Sequence, residues 1–151
     1  MKRLLRPVCA ALVLAVAPTH AGLLSPDPAA QPVDGILPVG QAFVPQTAIF
    51  YEGKLIVGIT AAPGTYLYKA KFSVEPVDPP RYSLGSMQLP PAEKFHDEHF
   101  GDVEIYRNVI EAHFNPGGRK GPSALRINYQ GCMENKVCYP PQSRVVDVMS
   151  P

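Results

Sequence analysis

From Gln41 onward, short apolar runs alternate with turn signals, and no stretch sustains the spacing of an amphipathic helix. Residues 123–129 show the clearest period of two. Leu125, Ile127 and Tyr129 fall on one face, Arg126 and Asn128 on the other. The same reading predicts strands over 42–51, 54–60, 65–74, 103–114 and 143–149, with a shorter one over 86–89. Turns are expected at Ala62-Pro63-Gly64, over 76–80, at Pro90-Pro91 and over 115–118. The 18 prolines argue against long helices. Short strands at this spacing predict an all-β fold, an immunoglobulin-like antiparallel β-sandwich. Trp is absent and the two late cysteines lie too close in sequence to bridge opposing sheets, so the Cys-Trp-Cys core of antibody domains is not in use.

The front of the chain reads differently. Lys2, Arg3 and Arg6 precede an apolar run over 8–17, too short to span a bilayer as a stable helix, and Thr19-His20-Ala21 offers small residues for cleavage. A cleaved signal peptide is expected over 1–21, an extended and poorly ordered lead-in over 22–40, and one folded domain over 41–151. Losing the leader takes three of the 14 basic residues and none of the 13 acidic ones, leaving a net charge of about −2. No basic field remains to hold nucleic acid or an anionic membrane. The expectation is a soluble, exported, monomeric domain in the periplasm.

Export changes the meaning of the cysteines. Cys9 leaves with the leader, and Cys132 and Cys138 remain as an even pair in an oxidising compartment. Five residues separate them, between two expected strands, so they should bracket a hairpin-like turn at the rim of the sandwich. Gly131 gives backbone room beside Cys132, and Pro140-Pro141 withholds two N–H groups from the edge that follows. Spacing alone leaves three uses open. The pair could be a plain structural disulfide, for which a chain-entropy estimate gives roughly 2 to 2.5 kcal/mol. It could exchange electrons. It could also bind Cu(I) or Zn²⁺, with Met133, His96 and His99 as further ligands, although nothing in the spacing fixes such a set. Lys136 reads as a solvated turn residue. No Ser-His-Asp array, phosphate loop or paired-carboxylate motif supports a hydrolase.

The run Tyr-Gln-Gly-Cys-x5-Cys-Tyr-Pro-Pro over 129–141 resembles the hallmark of the N-terminal periplasmic domain of the DsbD thiol:disulfide interchange family. Residues 36–43, the Gly-Thr-Tyr-Leu-Tyr-Lys run over 64–69, and residues 96–107 resemble further family segments in the same order. The resemblance implies an immunoglobulin-like fold with a redox-active Cys132–Cys138 pair and no cofactor or metal. It implies that Cys138 forms mixed disulfides with partners and that Cys132 resolves them. It further implies a cap loop at Asp97, Glu98, His99, Phe100 and Gly101, with Tyr66 and Tyr68 lining the same site. The family pattern has aromatic residues at both 99 and 100, and here His99 takes the first place. Asp97 and Glu98, placed near the sulfurs, would raise the thiol pKa. The implied partners are periplasmic thioredoxin-like proteins: a reductant domain, a disulfide isomerase or a cytochrome c maturation factor. A separate membrane electron transporter is a further implied partner. The rival readings are a non-enzymatic immunoglobulin-like binding module and a periplasmic metal chaperone.

Overall fold

The structure, a computed structural model, describes residues 31–151. The signal peptide expected over 1–21 and the first part of the lead-in lie outside the described residues.

Lys54–Ala61 (β3) is paired on both sides within the larger sheet, one strand in from its edge, with Leu55, Val57 and Ile59 fully buried on one face. Phe43–Pro45 (β1) and Ala48–Tyr51 (β2) lie end to end along one side of it, and Val109–Phe114 (β8) pairs along the other. The strand expected over 42–51 is therefore one strand interrupted at Gln46 and Thr47, where the Gln46 N–H still reaches the Gly58 carbonyl. A single helical turn, Val39–Ala42 (α1), leads into it. Gln142–Met149 (β12) pairs in parallel with β2 and antiparallel with Ala124–Tyr129 (β9), and Ser73–Asp78 (β5) forms the far edge. Pro76, expected to break the chain, lies inside β5, because an edge strand tolerates a missing N–H. The pairing shifts register there.

From edge to edge, the smaller sheet runs Val137–Cys138 (β11), Gly131–Met133 (β10), Thr65–Tyr68 (β4), Gly101–Tyr106 (β7) and Glu93–Asp97 (β6). Two strands expected to be continuous are divided between the sheets. Residues 65–74 leave the smaller sheet after β4, pass a 3-10 turn at Lys69–Lys71, and join the larger sheet as β5. Residues 103–114 cross at Asn108, whose φ of 62° is a left-handed conformation that Asn tolerates better than most residues. Periodicity hides such corners, since alternation continues on both sides of the crossing. Residues 86–89 form one bridge, Gln88 to His113, against the outer edge of β8. β6 was not expected, because Glu-Lys-Phe-His-Asp carries one large apolar residue.

The main core fills the space between the sheets. Phe43, Leu55, Ile59, Ile110, Leu125 and Ile127 come from the larger sheet, and Leu67 and Tyr106 from the smaller. A second cluster lies on the opposite face of the smaller sheet: Tyr66, Tyr68, Ile105 and Cys132, with Phe95, Val103 and Cys138 packed against them. β4 serves both. All four of its residues are buried, with Leu67 in the main core and Tyr66 and Tyr68 in the second cluster.

The described part of the lead-in is anchored to the domain. Val33 and Ile36 bond across Asp34 and Gly35, and Leu37 and Val39 pack on the main core. The Pro and Gly content that suggested disorder is interrupted here by apolar side chains that find a surface to cover.

Candidate functional site

β10 and β11 form the expected hairpin, which places Cys132 directly opposite Cys138. The two are joined as a disulfide. The turn between them is closed by the Lys136 N–H on the Met133 carbonyl, with Asn135 in a left-handed conformation. β11 is the edge of the smaller sheet, so the pair lies at a rim. Gly131 is required for this placement. A Cβ there would overlap the Tyr66 carbonyl oxygen and the Phe43 ring. The two sulfurs differ in access: Cys132 is 1% exposed, whereas Cys138 is only half-buried.

Tyr66 and Tyr68 project from β4 toward the sulfurs. The Tyr68 hydroxyl oxygen lies 2.9 Å from Cys132 Sγ and 3.8 Å from Cys138 Sγ. Both hydroxyls donate to the same carboxylate oxygen, Asp97 Oδ2, at 2.6 Å from Tyr66 and 2.7 Å from Tyr68. Asp97 Oδ1 accepts the backbone N–H groups of His99 and Phe100 at 2.8 and 3.0 Å. Asp97 is 3% exposed. Burial pushes its carboxyl up, but the Tyr66 and Tyr68 hydroxyls and the two N–H groups outweigh that and hold its pKa down to about 2. The tyrosines move the other way. Burial, and then the bond to Asp97, pushes Tyr66 up to about 12 and raises Tyr68 further. At neutral pH the centre is one buried carboxylate held by two neutral phenols beside a disulfide.

Residues 98–100 form a three-residue loop between β6 and β7, closed by Gly101 at a φ of 69°. Glu98 and His99 line the same cleft as the two cysteines, together with Tyr66, Asp97 and Glu134. Phe100 packs edge-on against Tyr68, with ring centroids 5.1 Å apart, and Lys71 sits over its outer face. His99 thus lines the sulfur cleft, whereas Phe100 packs on Tyr68.

Asp97, Cys132 and Cys138 bring possible ligand atoms within 4.8 Å of one another. The four hydrogen bonds to Asp97 already use both of its oxygens. Met133, His96 and His99 line the same cleft but do not join this cluster of close ligand atoms. His96 bonds Asp102 at 2.7 Å, and Met133 packs against the main core. The residues present do not fit a built metal centre.

Three residues without an assigned role also belong to this site. The Arg107 guanidinium forks onto Glu134, with Nη1 to Oε2 at 3.2 Å and Nη2 to Oε1 at 3.3 Å. It also stands 5.5 Å from the ring centroids of Tyr66 and Phe95. Arg107 belongs to one of the motif segments, but its contacts depend on tertiary structure and leave no local signal. Lys136, read as a solvated turn residue, is exposed in the turn and also donates to the Asp34 and Gly35 carbonyls at 3.3 and 3.0 Å. The Tyr139 hydroxyl donates to the Leu37 carbonyl at 2.6 Å.

The sequence profile of the family "Thiol:disulfide interchange protein DsbD, N-terminal" matches residues 34–150. Thiol:disulfide interchange protein DsbD 1 of Pseudomonas aeruginosa is 36% identical over 156 residues, covering 98% of this chain and 25% of that protein. DsbD of Vibrio cholerae is 31% identical over 112 residues, covering 74% of this chain and 18% of its own length. The chain thus spans about a quarter or less of these relatives. The reduced DsbD N-terminal domain of Neisseria meningitidis superposes with a TM-score of 0.64 at 30% identity, over 78% of this chain and 92% of that domain. The same organism's DsbD N-terminal domain in complex with the PilB N-terminal domain gives 0.62 at 31% identity, over 74% of this chain and 86% of that one.

Proposed function

The chain belongs to the DsbD N-terminal domain family, and from that premise we propose that it carries reducing equivalents in the periplasm through its Cys132–Cys138 pair. The activity is that of a thiol:disulfide oxidoreductase acting on thioredoxin-like proteins. The observation that carries this reading is the unequal burial of the two sulfurs beside one satisfied carboxylate. Half-buried Cys138 can meet a partner, while Cys132 at 1% exposure is reachable only from within the domain. The solved complex of the Neisseria relative with PilB supports a partner of the thioredoxin-like kind.

In the reducing direction, the Cys138 thiolate attacks one sulfur of the partner's disulfide. The partner's S–S bond breaks, a mixed disulfide forms, and the leaving sulfur takes a proton. The Cys132 thiolate then attacks Cys138 Sγ in line, and the partner's other sulfur leaves as a thiolate that is protonated. Two electrons and two protons pass to the partner, and the Cys132–Cys138 bond is restored. No cofactor is needed, because the two sulfurs hold both electrons.

Tyr68 has one hydroxyl hydrogen and donates its hydrogen bond to Asp97. In the dithiol, the Tyr68 oxygen is therefore placed to accept a bond from the Cys132 S–H. Ionising a thiol beside Asp97 sets two negative charges close together, which disfavours the thiolate. The free dithiol is thus slow to react, and His99 and Glu98 form the mouth that a partner must displace.

The test is the reduction potential of the pair in glutathione buffers. A value between about −180 and −270 mV is expected and lies in the range of working redox proteins. A value below about −300 mV would mark a structural bridge and favour the binding-module reading. Cys132→Ser should then accumulate mixed disulfides with thioredoxin-like proteins through Cys138, and Cys138→Ser should not.

A further inference from the structure

We infer that Arg107 is a positioning residue that latches the redox turn and so sets the balance between dithiol and disulfide. The inference rests on the redox reading of Cys132 and Cys138. Glu134 lies in the middle of the turn, two residues after Cys132 and four before Cys138. Its carboxylate is held by both terminal nitrogens of Arg107, a fork that fixes direction as well as distance. Arg107 is held in turn from two other elements. Its Nε donates to Glu93 Oε2 of β6 at 3.2 Å, and its guanidinium sits over the Tyr66 ring of β4 and the Phe95 ring of β6. One side chain thereby ties the turn to the wall that carries the Asp97 site. Arg107 touches neither sulfur among its contacts and acts through Glu134.

The latch matters unequally in the two redox states. In the disulfide, the covalent bond already closes the turn. In the dithiol, the turn keeps its shape only through non-covalent ties, and the Arg107 fork is one of them. Holding the two thiols opposite each other removes much of the entropy cost of closing the bond. Removing the fork lets the dithiol turn spread over more conformations, whereas the disulfide form, already closed by its bond, gains little freedom. The equilibrium then moves toward the dithiol.

The experiment equilibrates the chain with glutathione, in which two glutathione thiols pass two electrons and two protons to the disulfide and become one glutathione disulfide. Differential alkylation of Cys132 and Cys138 reads the ratio. Arg107→Met should shift the equilibrium constant about tenfold toward the dithiol, which corresponds to a potential about 30 mV less negative. Glu134→Gln should shift it in the same direction. The double variant should match either single one, because both remove one shared contact. Arg107→Lys keeps the charge, loses the fork, and should fall between. A purely structural residue would lower the melting temperature of oxidised and reduced protein equally and leave the constant unchanged, which would overturn the inference. Opposite shifts in the two single variants that cancel in the double would assign the effect to charge and overturn it as well. Should Arg107→Met not fold, Glu134→Gln carries the test alone, since it removes only the partner of the fork at a partly exposed position. A wild-type constant typical of a structural bridge would remove the reading on which the latch rests, whereas unshifted variants beside a working wild-type constant would remove the latch alone.

Discussion

Asp97 gathers two hydroxyls and two backbone N–H groups around one buried carboxylate. These bonds hold its folded pKa near 2, below its ordinary value. Its contribution to stability is therefore full above the unfolded carboxyl's range and is lost as pH falls through about 4 toward 2. The contribution is on the order of 1 kcal/mol once solvent screening on the loop side is counted. Asp97→Asn should remove this acid-side slope, as followed by urea denaturation at pH 3 and pH 7. The same substitution takes a negative charge away from the sulfurs. The pH midpoint for alkylation of Cys138 in the reduced protein should fall by on the order of one unit, and an unchanged midpoint would separate Asp97 from thiol reactivity. Gly131 makes a second demand at this scale. Because a Cβ would meet backbone and a buried ring, Gly131→Ala should destabilise by about 3 kcal/mol in chemical denaturation. Sequence matching pointed to both residues. It could not show that Asp97 is bound by the tyrosines, because those contacts join positions 29 and 31 residues apart.

At the scale of elements, β4 explains why the Tyr-Leu-Tyr run is buried throughout. An ordinary strand of a two-layer sandwich has one wet face. β4 has none, since its outer face holds the aromatic cluster over the disulfide. Tyr68→Phe keeps the ring and its contact with Phe100 but removes a charge-assisted bond to Asp97. It should cost about 1 to 2 kcal/mol in the oxidised protein by denaturant titration, and a cost near zero would mean that Tyr66 and the two N–H groups suffice. The hairpin around the cysteines was legible from residue types alone, because Gly131 and the proline pair frame it. The crossings at Lys69–Lys71 and at Asn108 were not, since alternation carries no information about which sheet a strand joins. β6 left no signal for a related reason: Phe95 alone marks its apolar face, and the groups that cover Phe95, Tyr66 and Arg107, come from other elements.

Over the whole molecule, the segment at 33–37, about a hundred residues earlier in the chain, packs against the cysteine hairpin. Lys136 and Tyr139 flank Cys138, and each is bonded to a carbonyl of that segment. Tyr139→Phe should therefore cost about 1 kcal/mol by denaturation and leave the fold intact. Composition and alternation determined that the chain is a β-sandwich with its cysteines on a hairpin, because those features depend on near neighbours and on which face each residue presents. The motif determined the family and with it the pair proposed to exchange electrons. The tertiary structure alone decided that the disulfide rests on a second, outward-facing core, that Asp97 is held by two phenols, and that Arg107, Lys136 and Tyr139 converge on one turn. Each of those facts depends on distances between side chains far apart in sequence. A chain fixes such distances only when two sheets have packed and its corners have chosen which sheet to enter.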